Sequence, residues 1–244
     1  MERARRRERV HVAGPPAAGS LAIGGEEARH LCVRRVQEGD EVVLFCGDGR
    51  EWPARVARAG RREVTVEVGA GTLVDREPAA RVTLAVGLLP AQAFDLVVRQ
   101  ATELGAAALA PVVTARSVAR ATGASQLERW RRIVIEASKQ CGRNRLMEVA
   151  PPVPLAPILE DAPRPAWIAL PGAPPLLDQL GEAGGLTLLV GPEGGFDPDE
   201  ESAARRAGFA PGGLGASVLR AETAAAAALA LVLGGLRRRG VRRS

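Results

Sequence analysis

Four short apolar runs, separated by segments of helical periodicity, constrain what most of this chain can become. They are RVTLAVGLL (81–89), AALAPVVT (107–114), PAWIALPG (165–172) and LTLLVGPEGG (186–195). Strands that are apolar on both faces and alternate with helices make an α/β domain whose sheet is mainly parallel, since a crossover helix must cover each face. The first intervening helix carries its stripe on Phe94, Leu96 or Val97, Val98, Ala101 and Leu104. The proline-rich passage APPVPLAPILEDAPRP (150–165) reads as a surface connection.

The preceding sixty residues have a different texture. EVVLFC (41–46) and REVTVEV (62–68) are β-branched runs bounded by glycine turns, and EWPARVAR (51–58) alternates Trp52, Ala54 and Val56 against polar neighbours. Pro53 suits an edge strand, because proline has no N–H for a ladder. One short helix, GEEARHLCVRRV (25–36), interrupts the strands, with Ala28, Leu31, Cys32 and Val36 inward. A small barrel-like domain over residues 1–74 is expected, then a linker, AGTLVDREPAA (70–80), and a second domain over 80–244.

At 46% hydrophobic and 25% charged residues, the 244-residue chain has the composition of a globular protein. A formal charge of +5 and a sequence pI near 10.2 favour a polyanionic partner. Cys32, Cys46 and Cys141 form no C-x-x-C, and with only His11 and His30 beside them neither a zinc site nor a disulfide framework is expected. The basic start, MERARRRERV, leads into no apolar segment of the signal-peptide kind, and the longest apolar stretch, 224–236, is short for a bilayer span. A cytoplasmic protein without membrane or metal partners is expected.

A helix from Leu127 to about Cys141 puts Leu127, Trp130, Ile133, Val134 and Ala137 on one face. Arg129, Arg132, Glu136 and Gln140 line an adjacent face, and Arg143 continues that line if the last turn holds. Such a stripe is either a solvated face of Glu–Arg pairs or a ridge of guanidinium groups for phosphates and bases.

GPEGGFDPDE (191–200) closes the fourth strand. It has neither the lysine nor the Ser/Thr of a P-loop, and its acids would repel a triphosphate. The nearest approach to a dinucleotide fingerprint, GLGASV (213–218), lies near the end of the chain and lacks the last small residue. Asp197 or Asp199 can cap the helix that follows. Three glycines and a proline nevertheless exceed the needs of one turn, and bare backbone N–H and C=O groups suit a flat, polar, neutral ring such as adenine. A second glycine stretch, Gly212, Gly213 and Gly215, precedes Val218, Leu219 and Arg220, with Glu222 and Thr223 opening an alanine-rich helix. Two such loops at the carboxyl ends of neighbouring strands form a ligand cleft, and the alanine face of the last helix suits a partner helix.

LLVGPEGGF, followed about twenty residues on by LGASVLRAETAAAAAL, resembles the paired signature of the SPOUT methyltransferases, and more specifically the 16S ribosomal RNA uridine-N3 methyltransferase family. RQATELGAAALAPVVTARSV and ERWRRIVIEASKQCGR agree with it in order and spacing, so the resemblance covers nearly the whole chain. It departs from the family pattern at Gln100, where lysine is common, and at Met147, near a customary proline. The resemblance implies an α/β fold with an N-terminal PUA-like RNA-binding β-barrel and a C-terminal SPOUT domain tied in a deep trefoil knot, acting as a homodimer. It implies S-adenosylmethionine as cofactor, held by Leu170, Pro171 and Gly172, by Gly191, Pro192, Glu193, Gly194 and Gly195, and by Leu214, Gly215, Val218, Leu219 and Arg220. The implied partner is 16S ribosomal RNA or the small ribosomal subunit.

Methylation at uridine N3 requires placement of nitrogen in line with a sulfonium methyl. The N3 proton must be removed, or the anion on O2 and O4 stabilised. Arg143 and Arg220 are the candidates for anion or base positioning, and Glu103 or Glu136 for the base. Because N3 lies on the pairing edge, the target must be unpaired or drawn from its stack. Arg5, Arg6, Arg7, Arg34 and Arg35, with Arg129 and Arg132, are candidate RNA contacts. The alternatives are an RNA-binding dimer without catalysis and a methyltransferase of another RNA such as tRNA.

Overall fold

The computed structural model describes residues 7–117 and 123–240, the last four of these by backbone alone. The chain forms two compact units. One comprises residues up to Glu77 together with Ile135–Leu146, and the other Pro78–Val134 with Met147 onward. The first crossing between the units falls at Glu77–Pro78, whereas the sequence suggests two continuous domains, 1–74 and 80–244. The return of 135–146 to the first unit departs from that continuous division, because these residues make their contacts with strands far earlier in sequence.

The first unit holds strands β1 (Glu8–His11), β2 (Gly19–Ile23), β3 (Glu41–Phe45), β4 (Arg50–Ala59), β5 (Val64–Val68) and β6 (Thr72–Leu73), with helix α1 (Gly25–Val33) after β2. The sheet runs β1-β3-β4-β5-β2, with β6 added to β4; β1 and β3 are parallel and the other pairs antiparallel. Period-2 alternation buries Trp52, Ala54 and Val56 against Val42, Leu44, Val64, Val66 and Val68, and α1 adds Ala28 and Leu31. Cys32, expected inward, is exposed, and its thiol donates to the Gly60 carbonyl at 3.2 Å. Pro53 does not mark an edge. It lies opposite Val43 of β3, at the point where the other side of β4 changes partner, since pairing with β6 ends at Glu51 and pairing with β5 begins at Ala54.

The second unit is an α/β layer. Its sheet contains β7 (Arg81–Gly87), β8 (Ala108–Val113), β9 (Glu148–Val149), β10 (Val153–Pro154), β11 (Ala166–Ala169), β12 (Gly185–Val190) and β13 (Phe209–Gly212), in the order β10-β8-β7-β12-β11-β13 with β9 beside β8. All of these pairs are parallel, and the four apolar runs supply β7, β8, β11 and β12. Helix α2 (Ala91–Leu104) buries Phe94, Val97, Val98 and Ala101 and stops at Gly105, which takes the left-handed conformation. Leu96 and Leu104 remain partly exposed.

Helix α3 (Ala124–Cys141) begins three residues before the expected start and buries Trp130, Val134 and Ala137. The passage expected to be a plain connection contains a helix, α4 (Leu155–Asp161), which packs Leu155 and Leu159 into the core. Its prolines are at the helix entrance, Pro154 at the N-cap position and Pro157 within the first turn, where no intrahelical N–H is needed. Helix α5 (Pro198–Arg206) precedes β13, and α6 (Ala221–Gly240) ends the described chain. The buried side of α6, including Ala225, Ala228, Leu229 and Val232, belongs to this unit's own core.

Candidate functional site

Three loops leave the carboxyl ends of β11, β12 and β13 and wall a cavity of about 620 Å³, within the roughly 300–1,000 Å³ range of small-molecule and cofactor sites. Strands β12 and β13 are not neighbours as expected; β11 lies between them, and its loop supplies the third wall. Close backbone approach builds the walls. A Cβ on Gly213 would come within 2.2 Å of the Ala173 carbonyl, so only glycine lets the β13 loop lie against the β11 loop. Gly213 N–H donates to the Pro174 carbonyl at 2.8 Å, and Leu176 N–H to the Gly213 carbonyl at 2.9 Å.

The expected cofactor residues Leu170, Pro171, Gly191, Pro192, Glu193, Gly195, Leu214, Gly215, Val218, Leu219 and Arg220 all line this cavity. Gly172 and Gly194 do not. Gly194 instead accepts a hydrogen bond at 2.9 Å from the Arg116 guanidinium. Arg116 and Glu201 also line the cavity and escaped the sequence reading. Among the described residues, no backbone N–H from Leu214 to Leu219 donates within the chain. The walls are therefore apolar side chains (Leu170, Val190, Phe196, Leu219) interleaved with unclaimed backbone groups, which fits a flat heteroaromatic ring carrying polar edges.

The GPEGG loop is anchored through its helix. Asp197 Oδ1 accepts from Glu200 N–H at 2.8 Å, and Glu200 Oε2 accepts from Asp197 N–H at 3.1 Å, a reciprocal capping box with Pro198 at the first helical position. The other oxygen of Glu200 accepts from Ala115 N–H at 2.8 Å. One carboxylate thus ties the turn after β8 to the loop after β12.

The remaining candidates sit elsewhere. Helix α3 ends at Cys141 because Gly142 turns left-handed, so Arg143 leaves the helical line instead of extending it. Its side chain is buried within the first unit, with Nε donating to Glu77 Oε1 at 3.1 Å. Glu103 is exposed on α2, and Glu136 pairs with Lys139 at 2.7 Å. None of the three lines the cavity; of the candidate catalytic groups only Arg220 does. Arg5 and Arg6 lie outside the described residues. Arg7 pairs with Glu41 and Arg34 with Glu8, while Arg35 is exposed with a left-handed φ of 56°. Arg129 pairs with Asp95, and Arg132 is exposed.

The first unit contains a partly buried charge network. Arg9 donates to Glu51, to the Arg143 carbonyl and to Asn144, while Arg76 donates to Glu51 at 2.7 Å. The bond from Arg76, with help from Asn144 and Arg9, holds the Glu51 carboxyl below its usual range against the effect of burial. Burial lowers Arg9 and raises Glu27. Burial also works to lower Lys139, but its pairs with Glu136 and Glu27 outweigh this and hold it above its usual value. Among the described residues no group of His, Cys, Asp and Glu converges as a metal site, and no helix is long and apolar enough to cross a membrane.

The family model described as an RNA methyltransferase domain matches residues 75–233. The chain belongs to the RNA methyltransferase family. A second model, an RNA methyltransferase PUA domain, matches residues 23–69. Relatives include proteins named ribosomal RNA small subunit methyltransferase E from Synechocystis, 34% identical over 82% of this chain and 68% of its own, and from Mycobacterium tuberculosis, 35% identical over 89% and 87%. Among solved structures, a methyltransferase of Legionella pneumophila in complex with bound SAM superposes with a TM-score of 0.88 at 30% identity, covering 94% of this chain and 98% of that one. The ribosomal RNA small subunit methyltransferase E of Neisseria gonorrhoeae, bound to S-adenosyl methionine, gives 0.86 at 31% identity over 92% and 96%. This RNA methyltransferase therefore carries a PUA domain ahead of its methyltransferase domain.

Proposed function

We propose that this RNA methyltransferase uses S-adenosylmethionine to methylate N3 of a uridine in 16S ribosomal RNA of the small subunit, acting in the cytoplasm as a homodimer. The observation that carries the reading is the convergence of three glycine- and proline-bearing loops on one cavity with unclaimed backbone amides. The names of the relatives and the SAM-bound neighbours support the donor and the substrate class, and the motif resemblance supports the N3 position. We assign a barrel to the first unit and a trefoil knot to the three cavity loops, following the same resemblance.

The loops after β11, β12 and β13 hold the donor, whose chemistry when bound is an electrophilic methyl on sulfonium. Leu170, Val190, Phe196 and Leu219 exclude water from its ring. Arg220, at the entrance of α6, supplies positive charge for the oxygens of a uracil anion. Glu193 and Glu201 line the cavity, so they replace Glu103 and Glu136 as candidates to take the N3 proton. Moving that proton to a carboxylate would leave the negative charge spread over N3, O2 and O4, which the Arg220 guanidinium would balance.

Mass mapping of modified nucleosides tests the reading. RNA of the small subunit from cells lacking this protein is expected to lose 3-methyluridine, and the purified protein with donor is expected to restore it. Undiminished 3-methyluridine would refute the assignment, and loss of a methylated nucleoside from tRNA instead would redirect it.

A further inference from the structure

The cavity holds four charged side chains, Arg116, Arg220, Glu193 and Glu201, and among the described residues none of the four makes an ion pair. Arg116 is held at its base. Its turn after β8 is closed by Thr114 N–H on Ser117 Oγ at 3.1 Å and by the Thr114–Ser117 hydroxyl pair at 3.0 Å. The preceding residue, Ala115, is fixed by its amide on Glu200.

One guanidinium N–H of Arg116, on Nη1, meets the Gly194 carbonyl; among the described residues Nε and Nη2 have no partner. An arginine serving only to anchor a loop would gain most by adding a nearby carboxylate, yet neither Glu193 nor Glu201 pairs with it. Arg116 is an exposed residue of the cavity lining.

We propose that Arg116 binds an anionic oxygen of the substrate nucleotide while holding the GPEGG loop by its Gly194 carbonyl, so that one side chain registers both the donor loop and the RNA. The oxygen belongs either to a backbone phosphate or to the uracil ring as it loses its N3 proton. This rests on the methyl-transfer reading above.

The test compares wild type with Arg116→Gln and Arg116→Lys at saturating S-adenosylmethionine, measuring kcat and KM for small-subunit RNA and, separately, RNA affinity against salt. A fall in kcat/KM of about tenfold to a hundredfold is expected for Arg116→Gln, the size of a lost hydrogen bond to a charged group. If the oxygen is a phosphate, KM carries the loss, the salt slope shrinks by about one ion, and Arg116→Lys restores it. If it is the uracil oxygen, kcat carries the loss, the salt slope is unchanged and the pH profile moves to higher pH. RNA parameters within twofold of wild type, with or without weakened donor binding, would overturn the proposal. Absence of turnover by the wild type would count against the methyl-transfer reading, and the uracil contact would fall with it, while the salt slope of Arg116→Gln would still decide the phosphate contact.

Discussion

Gly87, the last residue of β7, lies directly against Pro192 of the next strand's loop: a Cβ there would stand 2.5 Å from both the ring Cδ and the backbone nitrogen of Pro192. The position of the donor loop is thereby set by a missing methyl group on a neighbouring strand. Gly87→Ala should displace Pro192, reducing donor affinity at least tenfold and stability by about 1–3 kcal/mol, as overpacking does. Calorimetric titration and denaturant unfolding measure the two effects, and wild-type donor affinity would show that the loop tolerates the shift.

Gly194 faces Arg116 less closely than Gly87 faces Pro192, a Cβ there standing 3.2 Å from the arginine Cβ. Gly194→Val, which also adds branching, is expected to abolish donor binding by forcing these two segments apart. The first unit should keep its fold, checked by the protection of its amides in hydrogen exchange. Retained donor binding would dissociate the loop from the cofactor.

Glu200 joins two backbone amides, those of Ala115 and Asp197, through one carboxylate, while its own amide donates to the Asp197 side chain. Glu200→Ala should therefore cost more than a lone cap, whose loss is typically about 0.5–2 kcal/mol. Asp197→Ala, which removes the cap but leaves Ala115 paired, should fall within that range. Urea titrations of both variants give the comparison; equal losses would mean that the Ala115 bond contributes nothing.

Glu51 is expected to make the first unit acid-sensitive. Its carboxyl is depressed chiefly by the hydrogen bond from Arg76, so the native state binds its proton less readily than the unfolded chain. The resulting stabilisation is complete above the unfolded value of about 4.3 and is lost as pH falls through the lower native value. Glu51→Gln should lower stability at neutral pH and flatten the acid limb of a stability–pH curve. An acid limb as steep as wild type would contradict this origin.

Arg143 is expected to matter for stability and not for the donor. Truncation to alanine leaves Glu77 partly buried without its fork, a loss of about 3–5 kcal/mol by analogy with broken buried pairs. Donor affinity in the folded variant should equal that of wild type. A selective fall in donor affinity with stability preserved would return Arg143 to the site.

The parallel sheet was legible because β7, β8, β11 and β12 are apolar on both faces, a pattern with few other outcomes. The glycine loops were legible for a related reason, since backbone exposure and close approach demand residues without side chains. What stayed hidden depended on distance or on a single turn. Helix α4 was masked by prolines that a first helical turn accepts, and Arg143 was misdirected by one left-handed glycine. Arg116 gave no local signal, because its role arises from a carbonyl 78 residues away. Glu201 looked like one more acid in a helix entrance rich in them.

The return of residues 135–146 to the first unit gives the chain an unusual response to being cut. Asn144 donates to Glu51 and to the Val74 carbonyl, while Arg143 holds Glu77. A protease that severed the peptide between Glu77 and Pro78 would leave the amino-terminal fragment gripped by a segment still continuous with the remainder. The nicked protein should migrate as one species until denatured, so the linker is a seam in sequence and not a point of separation.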